Sequence, residues 1–188
     1  RSWRIAAELG RGRVYCTTSH LDGKVWVIGG EVFEADGSRR STDWVQIVDP
    51  ATGEATEGPP TQFVRPMPIA LHIHGRIYVA GNPRGADEQP GRIESIGPGE
   101  RTWRREPDGP TGFGPLAGCA LEGRFYLAVP ERFLAVFDTK DRSWSTINVP
   151  HPPRSCQMAA YQGEIWLMGG RGVPGGSAVQ VYNPRTGR

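Results

Sequence analysis

In 188 residues the chain carries 26 glycines and 17 prolines, a density of turn formers that predicts many short elements and excludes long helices. No apolar run approaches the roughly 20 residues of a membrane-crossing helix, and a formal net charge of +2 from 22 basic and 20 acidic residues excludes the concentrated basic face that nucleic acid requires. Three cysteines, Cys16, Cys119 and Cys156, with no CxxC pair, exclude a disulfide framework and argue against a zinc site.

In chain order, the first segment is residues 1–9, opening on Arg1-Ser2-Trp3 with apolar positions after it. A chain that starts on Arg1, with no Met and no signal-peptide pattern, is expected to be a piece of a longer or processed product; the compartment is not read from it. The next segment, residues 20–30, reads as a strand, a turn at Asp22-Gly23, a strand carrying Trp26, and the double glycine Gly29-Gly30. The same pattern returns at 72–82 (turn His74-Gly75, Tyr78), at 120–130 (Gly123, Tyr126) and at 160–170 (Gly163, Trp166, Gly169-Gly170). Glycine at the second position of a two-residue hairpin loop takes positive φ at little cost. The hairpin glycines lie 52, 48 and 40 residues apart, and a period near 50 marks a propeller-type repeat.

A third strand is predicted after each hairpin, at 45–48, 92–96, 134–137 and 179–182, followed by turns such as Asp49-Pro50, Asp138-Thr139 and Asn183-Pro184. Seven residues after Ile96 and Phe137 stand Trp103 and Trp144, on a fourth strand; Ala55 takes that place in the first repeat. The double glycines, the Phe137 or Tyr182 before the turn and the later tryptophan, in four ordered copies, resemble the kelch repeat. Repeat two departs with Gly81-Asn82 and repeat three with Val129-Pro130. The resemblance implies an all-β fold, a β-propeller with four kelch blades of four antiparallel strands, at about 10–58, 59–108, 109–150 and 151–188. The blades are expected to form either a closed four-blade ring or part of a six- or seven-blade ring. Because Arg1-Ser2-Trp3 duplicates Arg142-Ser143-Trp144, residues 2–9 are expected to form a strand that completes the fourth blade, with Trp3 packed between blades.

Two patterns invite chemistry and lack its context. Gly170, Gly172 and Gly175 fit G-x-G-x-x-G, but Pro174 and Gly176 precede a strand rather than the helix a dinucleotide site needs. His72 and His74 share a strand face without a third ligand, so no metal and no cofactor is expected. The thiols Cys16 and Cys156 are expected to be buried at the start of innermost strands.

In kelch blades the segments joining one blade to the next lie nearest the axis. Three of them here carry an arginine just before the innermost strand, Arg13, Arg65 and Arg154, and positive charge gathers on these segments while the outer loops are mixed. Pro153-Arg154-Ser155 is similar to the Pro-Arg-Ser of kelch proteins that bind acidic peptides. The expected ligand rim is therefore Arg13, Tyr15, Arg65, Phe113, Arg154 and Ser155. The function it implies is a non-catalytic binding scaffold for a protein or peptide, an acidic one among the candidates, or for a carbohydrate. No nucleic-acid and no membrane partner is expected. The competing expectation is a carbohydrate-active or oxidative enzyme of kelch type, with its site at the channel mouth.

Overall fold

Alternating apolar positions separated by tight turns fold each repeat into a small antiparallel sheet. In the computed structural model, which describes residues 2–82, 89–112, 117–170 and 179–188, the first sheet pairs β1 (Thr17–Leu21), β2 (Lys24–Ile28), β5 (Val45–Val48) and β6 (Ala55–Glu57) in that order. Between β2 and β5 a separate hairpin projects, β3 (Glu31–Phe33) on β4 (Arg39–Ser41). The second sheet is β7 (Ile69–Ile73), β8 (Arg76–Ala80), β9 (Ile93–Ile96) and β10 (Arg104–Arg105). The third is β11 (Ala117–Leu121), β12 (Arg124–Val129), β13 (Phe133–Asp138) and β14 (Ser143–Asn148). The fourth has three strands, β15 (Gln157–Tyr161), β16 (Glu164–Met168) and β17 (Val179–Tyr182).

Local chemistry sets these elements. Both residues of each first-hairpin turn have positive φ, from Asp22 (51°) and Gly23 (72°) to Gln162 (49°) and Gly163 (80°), the two-residue turn whose twist matches the flanking strands. The turn after the third strand is closed by a side chain: the carboxylates of Asp49 and Asp138 and the amide oxygen of Asn183 accept from the backbone N–H two residues on, at 2.9, 3.0 and 3.0 Å. The second glycine of the pair is a matter of space as well as φ. A Cβ on Gly30 (φ 96°) would lie 2.5 Å from the Val14 carbonyl oxygen, and one on Gly170 (φ 99°) 2.6 Å from that of Arg154. The joining segment presses on the end of the second strand there.

No sheet covers its own faces; the cores lie between blades. Leu21, Trp26, Ile28 and Val45 of the first blade meet Ile77, Val79, Ile96 and Trp103 of the second. Ile73, Tyr78 and Ile93 meet Phe125, Leu127 and Phe137, and Tyr126, Leu134 and Val136 meet Ile165 and Leu167. The innermost strands pack in order, β1 on β7, β7 on β11 and β11 on β15, so the blades form an arc that does not close. Trp103 and Trp144 each pin their blade to the segment before it. The Trp103 indole donates to the Pro59 carbonyl and that of Trp144 to the Pro107 carbonyl, both at 2.8 Å.

The expected strand over residues 2–9 does not form. These residues carry no strand, Trp3 is wholly exposed at 103%, and the Ala6 carbonyl runs against Gly53 in the turn between β5 and β6. The physical reason is the open arc, which leaves this segment on the first blade and away from β17.

The second and third blades are also tied through Glu106, which is fully buried and accepts from Ser95 Oγ (2.6 Å), Arg104 Nε (2.9 Å) and Arg142 Nε (2.8 Å). Burial pushes its carboxyl up, but these three hydrogen bonds together outweigh burial and hold it below the usual glutamate range.

Two measurements check this packing. Trp103, 2% exposed, should cost about 3–5 kcal/mol when replaced by Ala, and Trp144, only half-buried, should cost less; denaturant titration of the two variants gives the order. Because the folded pKa of Glu106 lies below its unfolded value, its stabilisation is present above the ordinary glutamate pKa and is lost as pH falls through the folded one. Arg142→Ala should flatten the fall of melting temperature on acidification, read by thermal melts from pH 6 to pH 3.

Candidate functional site

The joining segments cross the blades on one face, and two of their arginines, Arg13 and Arg65, are docked there by the third strands. Arg13 donates from Nη1 to Gln46 Oε1 (2.9 Å) and from Nη2 to the Val27 carbonyl (2.8 Å). Arg65 repeats this on the second blade, where Glu94 stands at the place of Gln46, second residue of the third strand. Its Nη1 meets Glu94 Oε2 at 2.5 Å and the Phe63 carbonyl at 3.0 Å. Both partners of that ion pair are 0% exposed. Glu94 Oε1 also accepts from the Gln62 backbone N–H at 2.8 Å. On the fourth blade the equivalent residue, Gln180, exchanges two hydrogen bonds with the backbone of His151. Burial lowers the pKa of both Arg13 and Arg65, against the pull of Cys16 on the first and Glu94 on the second.

The expected rim residues fall into different settings. Arg13 and Arg65 are engaged within the fold, and Arg65 is sealed from solvent. Arg154 is exposed and pairs with Glu131 at 2.6 Å. Tyr15 and Ser155 are exposed, with matching positive φ of 56°. Phe113 lies outside the described residues, as do positions 171–175 of the glycine-rich motif.

What the structure does bring together is a patch on the first blade. The β3–β4 hairpin pairs Phe33 with Arg39 and leans on the joining segment, where Val14 bridges to Glu31. Tyr15 is 54% and Phe33 64% exposed. The Arg39 guanidinium lies 5.8 Å from the centre of the Tyr15 ring and 3.4 Å from the fully buried Glu31 carboxylate. Beside it, Arg11 and Arg40 stack on Trp44 at 4.5 and 5.5 Å. Sequence reasoning missed Phe33, Arg39 and Trp44; the available signal was the long connection after Gly30, which holds a hairpin of its own.

The other candidates resolve differently. His72 pairs with His20 of the neighbouring innermost strand, ring centres 4.5 Å apart, while His74 sits in a turn against Gly123. Burial, then the His20 charge, lowers the His72 pKa. Among the described residues no group of three or more His, Cys, Asp and Glu side chains is arranged to hold a metal. Cys119 and Cys156 are buried and Cys16 partly so; burial pushes the Cys119 thiol up to about 12.

A family model for the kelch motif matches residues 12–60, the first blade with its projecting hairpin. The chain thus carries a kelch motif and is similar to kelch-repeat proteins. It is 24% identical over 188 residues to the F-box/kelch-repeat protein At2g29600 of Arabidopsis thaliana, covering 89% of this chain and 41% of the relative. It is also 25% identical over 194 residues to Kelch-like protein 35 of Mus musculus, covering all of this chain and 32% of that one. The chain thus spans less than half the length of the curated relatives it matches. A solved structure described as "Structure of YjhT" superimposes with a TM-score of 0.68 at 14% identity, over 92% of this chain and 68% of the other, which supports the propeller fold.

The two settings of the arginines separate by mutation. Arg65→Ala strands a buried Glu94 carboxylate and should cost about 3–5 kcal/mol, whereas Arg154→Ala should stay within about 0.5 kcal/mol. Urea titrations of both variants make the comparison.

Proposed function

We propose that this kelch chain is a non-catalytic scaffold that binds a protein segment through the face carrying the joining segments and the β3–β4 hairpin. The observation that carries the reading is the exposed Tyr15–Phe33–Arg39 cluster. Aromatic rings and guanidinium groups are the side chains that dominate protein interfaces, because each combines apolar area with a directed donor. The F-box/kelch-repeat and Kelch-like relatives favour a protein partner over a small substrate.

The finer part of the proposal is that the bound segment is acidic. Arg11, Arg39 and Arg40 are exposed, each beside a single carboxylate, Glu57, Glu31 and Glu34 respectively, and a guanidinium grips a carboxylate through two parallel hydrogen bonds. Stacking on Tyr15 and Trp44 holds these groups in place before binding, which lowers the ordering cost. On the fourth blade Ser155 repeats the positive φ of Tyr15, and the exposed Arg154 stands beside it, paired with Glu131.

Fluorescence anisotropy with a dye-labelled peptide of alternating glutamate and leucine tests this. Saturable binding is expected, weakened at least tenfold by Tyr15→Ala and by Arg40→Ala with melting temperature unchanged, and weakened by salt. Absence of binding, or binding indifferent to both substitutions, would discard the acidic reading.

A further inference from the structure

The innermost strands of the first two blades, β1 and β7, lie side by side. The Ala70 N–H donates to Thr17 Oγ1 at 3.2 Å, and Leu21 and Ile73, 3% and 4% exposed, sink the far ends of the two strands into the cores. Between these anchors His20 and His72 alternate out of the core. Both are exposed, and their rings meet across the joint with centres 4.5 Å apart and planes inclined at 43°. The pair is not part of the packing that the repeats share. The same place, three residues before the hairpin glycine, holds Ala120 in the third blade and Ala160 in the fourth.

Two imidazoles brought this close have the spacing of ligands on one ion. With a metal–nitrogen bond of about 2.1 Å and a ring centre about 1.1 Å behind the nitrogen, two ring centres lie about 4.5 Å apart when the bonds meet at a right angle, and about 5.2 Å apart at the tetrahedral angle. The His20–His72 separation falls at the right-angle value. That is the angle between neighbouring positions in the square and tetragonal coordination that Cu2+ and Ni2+ prefer. The inclination of the rings is no obstacle, since a ring can turn about its metal–nitrogen bond without moving the nitrogen.

We infer that His20 and His72 bind a divalent transition-metal ion of the Ni2+ or Cu2+ class across the joint between the first and second blades. Both ligands stand on strands whose backbone is held on either side of them, so little ordering is needed to form the site. Among the described residues no third His, Cys, Asp or Glu side chain joins the pair, so water fills the remaining coordination positions and the ion is exchangeable. The two imidazoles come from different blades and meet only in the folded chain, so binding stabilises the fold and clamps the joint. His72 finds its partner on the neighbouring blade and not in His74, which sits in a turn against Gly123. No residue at either end of the chain takes part.

The test is thermal unfolding of the whole, untagged chain with and without excess Ni2+, joined to isothermal titration calorimetry well below the melting transition, where every variant is folded. Ni2+ should raise the melting temperature by several degrees, and EDTA should reverse the rise. Calorimetry should find one ion per chain. His20→Ala, His72→Ala and His72→Gln, all at exposed positions, should leave the metal-free melting temperature unchanged and each weaken Ni2+ binding at least tenfold. His74→Ala and His151→Ala should keep the wild-type affinity. No rise with Ni2+ would overturn the inference, as would binding indifferent to His20→Ala or to His72→Ala. A tenfold loss in His74→Ala or His151→Ala would place the ion elsewhere and overturn it too.

Discussion

Every core in this molecule is shared between two sheets. A strand here is two to six residues long, and a sheet of three or four such strands has too little area to bury either face by itself. Phe125, Phe137 and Ile77, all fully buried, are buried by the neighbouring blade and not by their own. Stability is therefore a property of blade pairs, and disruption at one joint is felt on both sides of it.

The polar locks are a consequence of that arrangement. Stacked sheets could slide or rotate against each other, and the joining segments prevent it by reaching from one blade into the next. Trp103 and Trp144 fasten to proline carbonyls of those segments; Arg65 fastens to Glu94, and Arg142 to Glu106. Two of these locks bury a full carboxylate, which is tolerable only because several donors meet it. Glu94 takes a guanidinium and a backbone N–H, and Glu106 takes a hydroxyl and two guanidinium groups. Removal of one partner leaves a buried charge, so these sites are sensitive far beyond the modest net worth of the pair.

The same geometry leaves side chains exposed on one face. Joining segments and second-to-third strand connections emerge together, and in the first blade the latter grows into the β3–β4 hairpin. That hairpin lies outside the blade's own ladder, so its Phe33 and Arg39 are not consumed by packing. A framework held by shared cores thus presents aromatic and guanidinium groups on a projecting element, the arrangement on which the proposed binding role rests.

The sequence by itself determined the repeat, the hairpins and the turns, since these rest on chemistry within a few residues. A glycine at positive φ, an Asp or Asn accepting from the N–H two residues on, and alternating apolar positions act wherever the chain goes. The spacing of Trp103 and Trp144 from the third strand was legible for the same reason. What the arginines do was not legible: Arg13, Arg65 and Arg154 look alike in their segments, but Arg13 meets Gln46, Arg65 the sealed Glu94, and Arg154, which stands at the place of Val14, the exposed Glu131. Residues 2–9 carry the letters of a fourth strand and still do not form one, since a strand needs an edge within reach and the arc holds this segment on the first blade. Position along the chain decides turns and strands; which side chains remain free to meet a partner is decided by the blade next door.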